Sequence, residues 1–203
     1  MKQGLGSTQG LPVPPAASFE EASPRHRFTV ADYIAMVGAG ILSEDDRVEL
    51  LDGDVVEKMT ANPPHAGCVN RLTRLFIRRL GDRVVVSPQN AVVIDDYSAP
   101  EPDIALLRPS EDFYATATPQ VRDVLLVIEV ADTSLARDRL VKLPLYARAG
   151  VREVWIVNVP ARRIEVYKGP SNDGYRESRM IDDGVLTPEA FPDLELGIEE
   201  LLG

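Results

Sequence analysis

The sequence predicts an α/β domain, and three observations carry that prediction. Leu125–Ile128 form an unbroken apolar run within VLLVIEV, and Val154–Val159 read as a second apolar strand. The segment between them has helical character and ends at Gly150, a C-cap residue, so Val124–Asn158 reads as a strand–helix–strand unit. The remaining chain combines one long amphipathic helix with strand pairs divided by turn residues. The first strand of the unit runs directly into Glu129, and a charge at the end of a buried strand is unfavourable unless it is paired or coordinated.

Taken in order, residues 1–27 are rich in Gly, Ser, Ala and Pro without apolar periodicity and read as a flexible tail; residues 28–203 read as a single domain. Thr29 is a candidate N-cap for a short helix over Ala31–Val37, which Gly38 and Gly40 would end. In RVELLDGDVVEKM, Asp52-Gly53 divides two strand-like runs, a two-residue hairpin signal in which glycine supplies positive φ, and Glu49 lies in the first strand. Pro63 and Pro64 suit a helix start, followed by Val69, Leu72, Leu75, Phe76 and Leu80 at helical spacing and closure at Gly81.

The other face of that helix carries Arg71, Arg74 and Arg78 at steps of three and four, with Arg79 beside them. The bland account of this stripe is a solvated face; the functional one is contact with backbone phosphates. RVVVSPQNAVVID reads as a strand pair or one bent strand interrupted at Ser87-Pro88, and Asp103 opens a further apolar strand, IALL. Residues 109–122 read as a loop with a short helix. Val154–Val159 and RIEVYKG read as an antiparallel pair across Pro160-Ala161-Arg162, with YRESRMI as another strand after the Asn172-Asp173-Gly174 turn, Trp155, Tyr167 and Tyr175 as packing aromatics, and FPDLELGIEEL as a docking peptide or short terminal helix.

Composition excludes several classes. No apolar run reaches the roughly 20 residues a membrane-spanning helix needs, and no signal-peptide layout opens the chain, so the expectation is a cytoplasmic protein without membrane association. The single cysteine, Cys68, permits no internal disulfide and reads as a structural thiol. With histidines only at His26, in the tail, and His65, read as a helix-start or packing residue, a multi-histidine metal site is excluded. The net charge of −10 opposes long-range attraction of a polyanion, so a nucleic-acid partner must be met by a local basic patch.

Asp103 precedes one strand and Glu129 ends another. If those strands are neighbours, both carboxylates can converge on a hard divalent cation such as Mg²⁺. Lys142 on the intervening helix could then position or help deprotonate a water and stabilise charge developing at phosphorus. The alternative is that Asp103 caps a turn, Glu129 pairs with an arginine and Lys142 is a surface side chain.

The order Pro102-Asp103, Glu129 within VIEVADTS and Lys142 ahead of LYARAGVREVWIVN resembles the PD-(D/E)xK nuclease superfamily. With VELLDGDVVEKM, PPHAGCVNRL and PEPDIALLRP in the same order, the chain more closely resembles the Uma family of restriction-endonuclease-like proteins. The resemblance implies a restriction-endonuclease-like α/β core, a mixed central β-sheet flanked by helices with additional β-hairpins. It also implies Mg²⁺ or Mn²⁺ as cofactor and nucleic acid, DNA foremost, as partner. Asp103 matches the PD aspartate and Glu129 the second acidic ligand, both metal ligands. Ala131 stands where the simplest motif has lysine, so that role passes to Lys142, while Glu49 matches an acidic position beside the metal. Asp132 and Arg137 would organise the loop through capping and ion pairing. The implied function is a metal-dependent endonuclease, with a homodimer favoured if both strands of a duplex are cut. The alternative is a nuclease-fold protein acting as a binding or regulatory module. Pro144 bears on the choice: a helix starting at Ser134 would be kinked there and Lys142 misaimed, whereas one starting near Arg139 would tolerate it.

Overall fold

Backbone pairing organises the molecule around one sheet. The computed structural model describes residues 25–59 and 62–203; the flexible tail expected over residues 1–27 lies, as far as residue 24, outside the described residues. Arg27 packs on the first hairpin, donating to the Asp52 carbonyl at 2.9 Å and lying 4.2 Å above the Tyr97 ring.

Helix α1 (Val30–Gly38) starts in a reciprocal capping box: the Thr29 hydroxyl accepts from Asp32 N–H, and the Asp32 carboxylate accepts from Thr29 N–H. Strands β1 (Val48–Leu51) and β2 (Asp54–Glu57) pair across Asp52-Gly53. Both turn residues have positive φ, 52° and 86°, as a type I′ turn demands, so aspartate shares the role expected of glycine alone. Helix α2 (Pro63–Leu80) begins where the Asn62 side chain accepts from His65 N–H and buries Cys68, Val69, Leu72, Phe76 and Leu80.

Strands β3 (Val85–Pro88), β4 (Ile104–Leu107), β5 (Val124–Ala131), β6 (Glu153–Asn158), β7 (Arg163–Ser171) and β8 (Gly174–Ile181) lie side by side in that order. The β5–β6 pair is parallel and the others antiparallel, which makes the sheet mixed. Only the first half of RVVVSPQNAVVID belongs to it. At Gln89 the chain turns with φ 53°, and Val93 makes an isolated bridge to Gln120 instead of extending β3.

Sheet parity divides the core. Leu126, Ile128 and Val130 face α2 with Trp155 and Val157, joined by Leu186 of β9 (Val185–Leu186), Leu196 of β10 (Leu196–Gly197) and Ile198 and Leu201 of α5 (Ile198–Leu202). Val127 and Val154 face the other way, onto Leu145 and Tyr146. Glu129 has the parity of Val127 and therefore points at that second helical layer.

This layer is continuous from α3 (Leu135–Arg137) through a π-helical turn (Asp138–Lys142) to α4 (Leu143–Ala149). Its N-cap is Ser134, the case in which Pro144 was expected to misaim Lys142. The distortion takes the form of the π turn, which precedes the proline directly. Proline lacks an N–H and its ring crowds the carbonyl four residues back; widening one turn accommodates both. Lys142 stays on the inner face, with 6% exposure.

Two glycines test the backbone argument. Gly150 caps α4 at φ 84° with nothing within 4 Å of an added Cβ, whereas at Gly53 a Cβ would meet that of Arg27 at 2.6 Å. Gly150→Ala should therefore destabilise by about 1–2 kcal/mol, the left-handed penalty alone, and Gly53→Ala by more, read from urea denaturation midpoints.

Candidate active site

The two acidic residues meet because β4 and β5 are neighbours in register. Ile104 pairs with Ile128, so Asp103 and Glu129 sit one step beyond on the same face. Asp103 N–H donates to Glu129 Oε2 at 3.4 Å, and Asp103 Oδ2 accepts from Val130 N–H at 2.8 Å. Lys142 comes from the helix above, its Nζ 3.2 and 3.4 Å from the Glu129 oxygens. The same ammonium lies 3.3 Å from Glu49 Oε2 and donates to the Glu101 carbonyl at 3.3 Å.

Glu49 is only 2% exposed, against the half-exposed strand position its local sequence allows. The bridge between Leu50 and Ala99 lays β1 along the segment leading to Asp103, and Glu101 N–H donates to Glu49 Oε2 at 3.0 Å. Arg137 completes the clamp, donating to Glu49 Oε1 at 2.9 Å and to the Glu57 carbonyl at 2.6 Å. Asp132 accepts a hydrogen bond from Asn62, which ties the loop after β5 to the start of α2.

Three further residues complete the site. The Tyr146 hydroxyl donates to Glu129 Oε1 at 2.6 Å, and Asp138 accepts from the Ser134 hydroxyl at 2.6 Å within the same cavity. Both lie four residues from Lys142, the spacing that puts helical side chains on one face, so that periodicity was the available signal. His65 places Nε2 3.1 Å from Asp103 Oδ1, while its buried Nδ1 has no hydrogen-bond partner among the described residues. No local pattern marks this role, which depends on where α2 meets the sheet.

These groups line a cavity of about 410 Å³. Five carboxylates (Glu49, Glu101, Asp103, Glu129, Asp138) face four permanent cations (Arg47, Lys58, Arg137, Lys142). Burial pushes the Glu129 carboxyl up to about 8, with Asp138 and Asp103 adding to the rise and Lys142 opposing it. Burial likewise raises Asp138. Burial pulls the Lys142 ammonium down, but the surrounding carboxylates, Glu129 foremost, outweigh it and hold the proton above the ordinary lysine range. The hydrogen bond to Asp103 raises His65 against its own burial.

The donor chemistry suits a hard divalent cation, since both candidate ligands offer carboxylate oxygens. Asp103 and Glu129 are the residues that could hold one. Among the described residues no group of three or more His, Cys, Asp or Glu could hold a metal ion by itself. Two carboxylates suit Mg²⁺, which keeps several waters and takes further oxygens from a substrate.

The arginine stripe lies elsewhere. With a rise of about 1.5 Å per residue, Arg78 is roughly 20 Å along the α2 axis from His65. Arg71 donates to the carbonyls of Leu201 and Leu202, and Arg79 pairs with Glu200. Arg74 and Arg78 are exposed and have no hydrogen-bonding or ionic partner among the described residues.

A mixed sheet flanked by helices, with paired acids at the ends of two central strands and a lysine above them, defines a restriction-endonuclease-like α/β protein. The chain belongs to the Uma2 family, described as "putative restriction endonuclease", whose model matches residues 30–199. Its fold is shared by a crystal structure titled a "putative nuclease" from Anabaena variabilis: TM-score 0.67, 14% identity, covering 86% of this chain and 97% of that one. No curated protein matches the chain. No helix among the described residues is long and apolar enough to cross a membrane.

The raised Glu129 sets a pH dependence. Between 4.5, the ordinary value, and about 8, the folded chain binds more protons at Glu129 than the unfolded chain does. Stability should therefore fall as pH rises through that window, by at most roughly 1.4 kcal/mol per unit, and level off above it. Glu129→Gln should flatten this slope in urea denaturation at a series of pH values; an unchanged slope would contradict the assignment.

Proposed function

We propose that the protein is a metal-dependent endonuclease hydrolysing phosphodiester bonds, with DNA as substrate, acting in the cytoplasm. The observation that carries this reading is the shared face of Asp103 and Glu129 on neighbouring strands, with the Lys142 amine 3.2 Å from Glu129. Asp103 and Glu129 would hold Mg²⁺ or Mn²⁺, which when bound supplies an activated water and neutralises charge at phosphorus. His65 orients Asp103, and Tyr146 orients Glu129. Because carboxylates hold its proton, Lys142 acts as a cationic hydrogen-bond donor toward water and phosphate rather than as a base. Glu49 anchors that ammonium and, through Arg137, fixes the hairpin beside it. A homodimer would present two such sites to a duplex.

One observation favours the second reading, a binding or regulatory module. Each oxygen of Asp103 and Glu129 already accepts from or pairs with a protein donor. Mn²⁺ calorimetry separates the two readings: heat that disappears in Asp103→Ala supports the nuclease, and none in either protein supports the module.

Plasmid and single-stranded DNA incubated with Mg²⁺ or Mn²⁺ should be cut by the protein and at least about 100-fold more slowly by Glu129→Ala and Lys142→Met. Equal cleavage by the protein and Glu129→Ala removes the chemistry.

Arg74 and Arg78, with Arg71 held by the C-terminal carbonyls, would contact backbone phosphates outside the cleft. Replacing both with alanine should lower the slope of log affinity against log salt by up to about 2, because each phosphate contact contributes roughly 0.9. An unchanged slope would show that the stripe faces only solvent.

A further inference from the structure

A second cavity, of about 420 Å³, lies beside the acidic one, and the two share a boundary in the chain: Gln89 lines the first and Asn90 the second. That boundary is tied to the site, since Gln89 N–H donates to the carbonyls of Pro102 and Asp103 at 3.2 Å each. The chemistry changes abruptly across it. The acidic cavity is dominated by ionised groups, whereas the second is lined only by uncharged residues, with hydroxyls from Ser87, Thr116 and Thr118, the Asn90 amide and one exposed aromatic, Phe113.

Phe113 is 75% exposed and leaves its ring open to a stacking partner. The loop is built to hold it there. Phe113 and Tyr114 both take left-handed backbone, φ 52° and 63°, which bulky side chains rarely adopt. The Asp112 carboxylate fixes the turn, accepting from the Ser110 and Thr116 hydroxyls and from the Tyr114 and Thr116 N–H groups. Tyr114, anchored to the Arg108 carbonyl at 2.9 Å, packs inward while Phe113 is turned out over the groove. An uncharged pocket with hydroxyl and amide groups and one exposed ring matches a flat heterocycle with polar edges better than a phosphate or an aliphatic chain.

We propose that this second cavity is a base-binding subsite, in which Phe113 stacks on one unpaired nucleobase of the strand whose backbone lies in the acidic cavity. The proposal rests on the nucleic-acid reading of that cavity, and it makes single-stranded or locally opened nucleic acid the preferred substrate. A base held in a duplex has both faces covered by its neighbours and offers none to the ring.

The test is fluorescence anisotropy with the full chain and no added divalent ion. The probes are a labelled single-stranded oligodeoxynucleotide and one of equal length made wholly of abasic units. Phe113→Ala should bind the first about fivefold to 150-fold more weakly than the unaltered protein, Phe113→Tyr should restore affinity, and the abasic strand should bind all three alike. Equal affinity of the unaltered and alanine proteins for the base-bearing strand overturns the proposal. So does the same loss on the abasic strand, or no binding of the base-bearing strand by the unaltered protein. Phe113-dependent binding by a protein that cuts no DNA upholds the subsite while removing the endonuclease chemistry.

Discussion

Burying one carboxylate sets the terms for much of this structure. Glu129 sits inside β5, two residues before its end, in a strand whose other residues are all apolar and almost all buried, and it is 3% exposed. Removing an ionised carboxylate from water is offset only when charge and hydrogen bonds reach each of its oxygens. Lys142 and Tyr146 supply them from the helix above, and Asp103 N–H from the strand beside it. Lys142 in turn is buried and needs more than one anion, which accounts for Glu49, and Glu49 needs Arg137. Taking one partner from such a set leaves an uncompensated buried charge, which costs about 3–5 kcal/mol. The cluster is therefore a structural joint between hairpin, sheet and helix as well as a candidate reaction centre.

The π turn follows from the same requirement. A regular helix through Pro144 would set its ring against the Leu140 carbonyl, and straightening the backbone by a bend would carry Lys142 off its line. Widening the turn preserves the helix direction, and contacts on two sides hold it in place. Asp138 is tied to Ser134, and Arg139 forms a two-pronged ion pair with Glu165 on β7, 2.5 and 2.8 Å long. Tyr167 adds a hydrogen bond to the same glutamate. Residues 138–142 thus face two ways, Lys142 toward the site and Arg139 toward the sheet edge.

Much of this was legible in the sequence, for identifiable reasons. Apolar runs specified β5 and β6, helical spacing specified α2, and Asp52-Gly53 specified the first hairpin, because each signal is local and periodic. The pairing of Asp103 with Glu129 followed once two acids flanked apolar strands, although their adjacency depends on β4–β5 register, which no local pattern encodes. Tyr146 and Asp138 could have been found from their spacing to Lys142. His65 could not, since its role arises where the start of α2 meets the start of β4 across a long sequence separation. The turn after Pro88 was hidden for a related reason: Ala91–Ile94 look like a strand but take their partners from a loop.

Electrostatics joins the site to its substrate. The chain carries a net charge of −10, and within the cavity acidic and basic side chains hold one another in ion pairs. Lys142 is buried, and its charge is already shared between Glu129 and Glu49. Lys58 pairs with Glu101 at 2.6 Å, and Arg47 lies on the cavity wall. Because the Lys58–Glu101 pair is partly exposed, it is weak enough for an anion to compete for the cation. The two unpaired arginines on α2 lie too far away to neutralise the reacting group and can only add affinity along the backbone. On the proposed nuclease reading, an ion held by Asp103 and Glu129 would add at the phosphate the positive charge that the already paired side chains of the cavity supply only weakly.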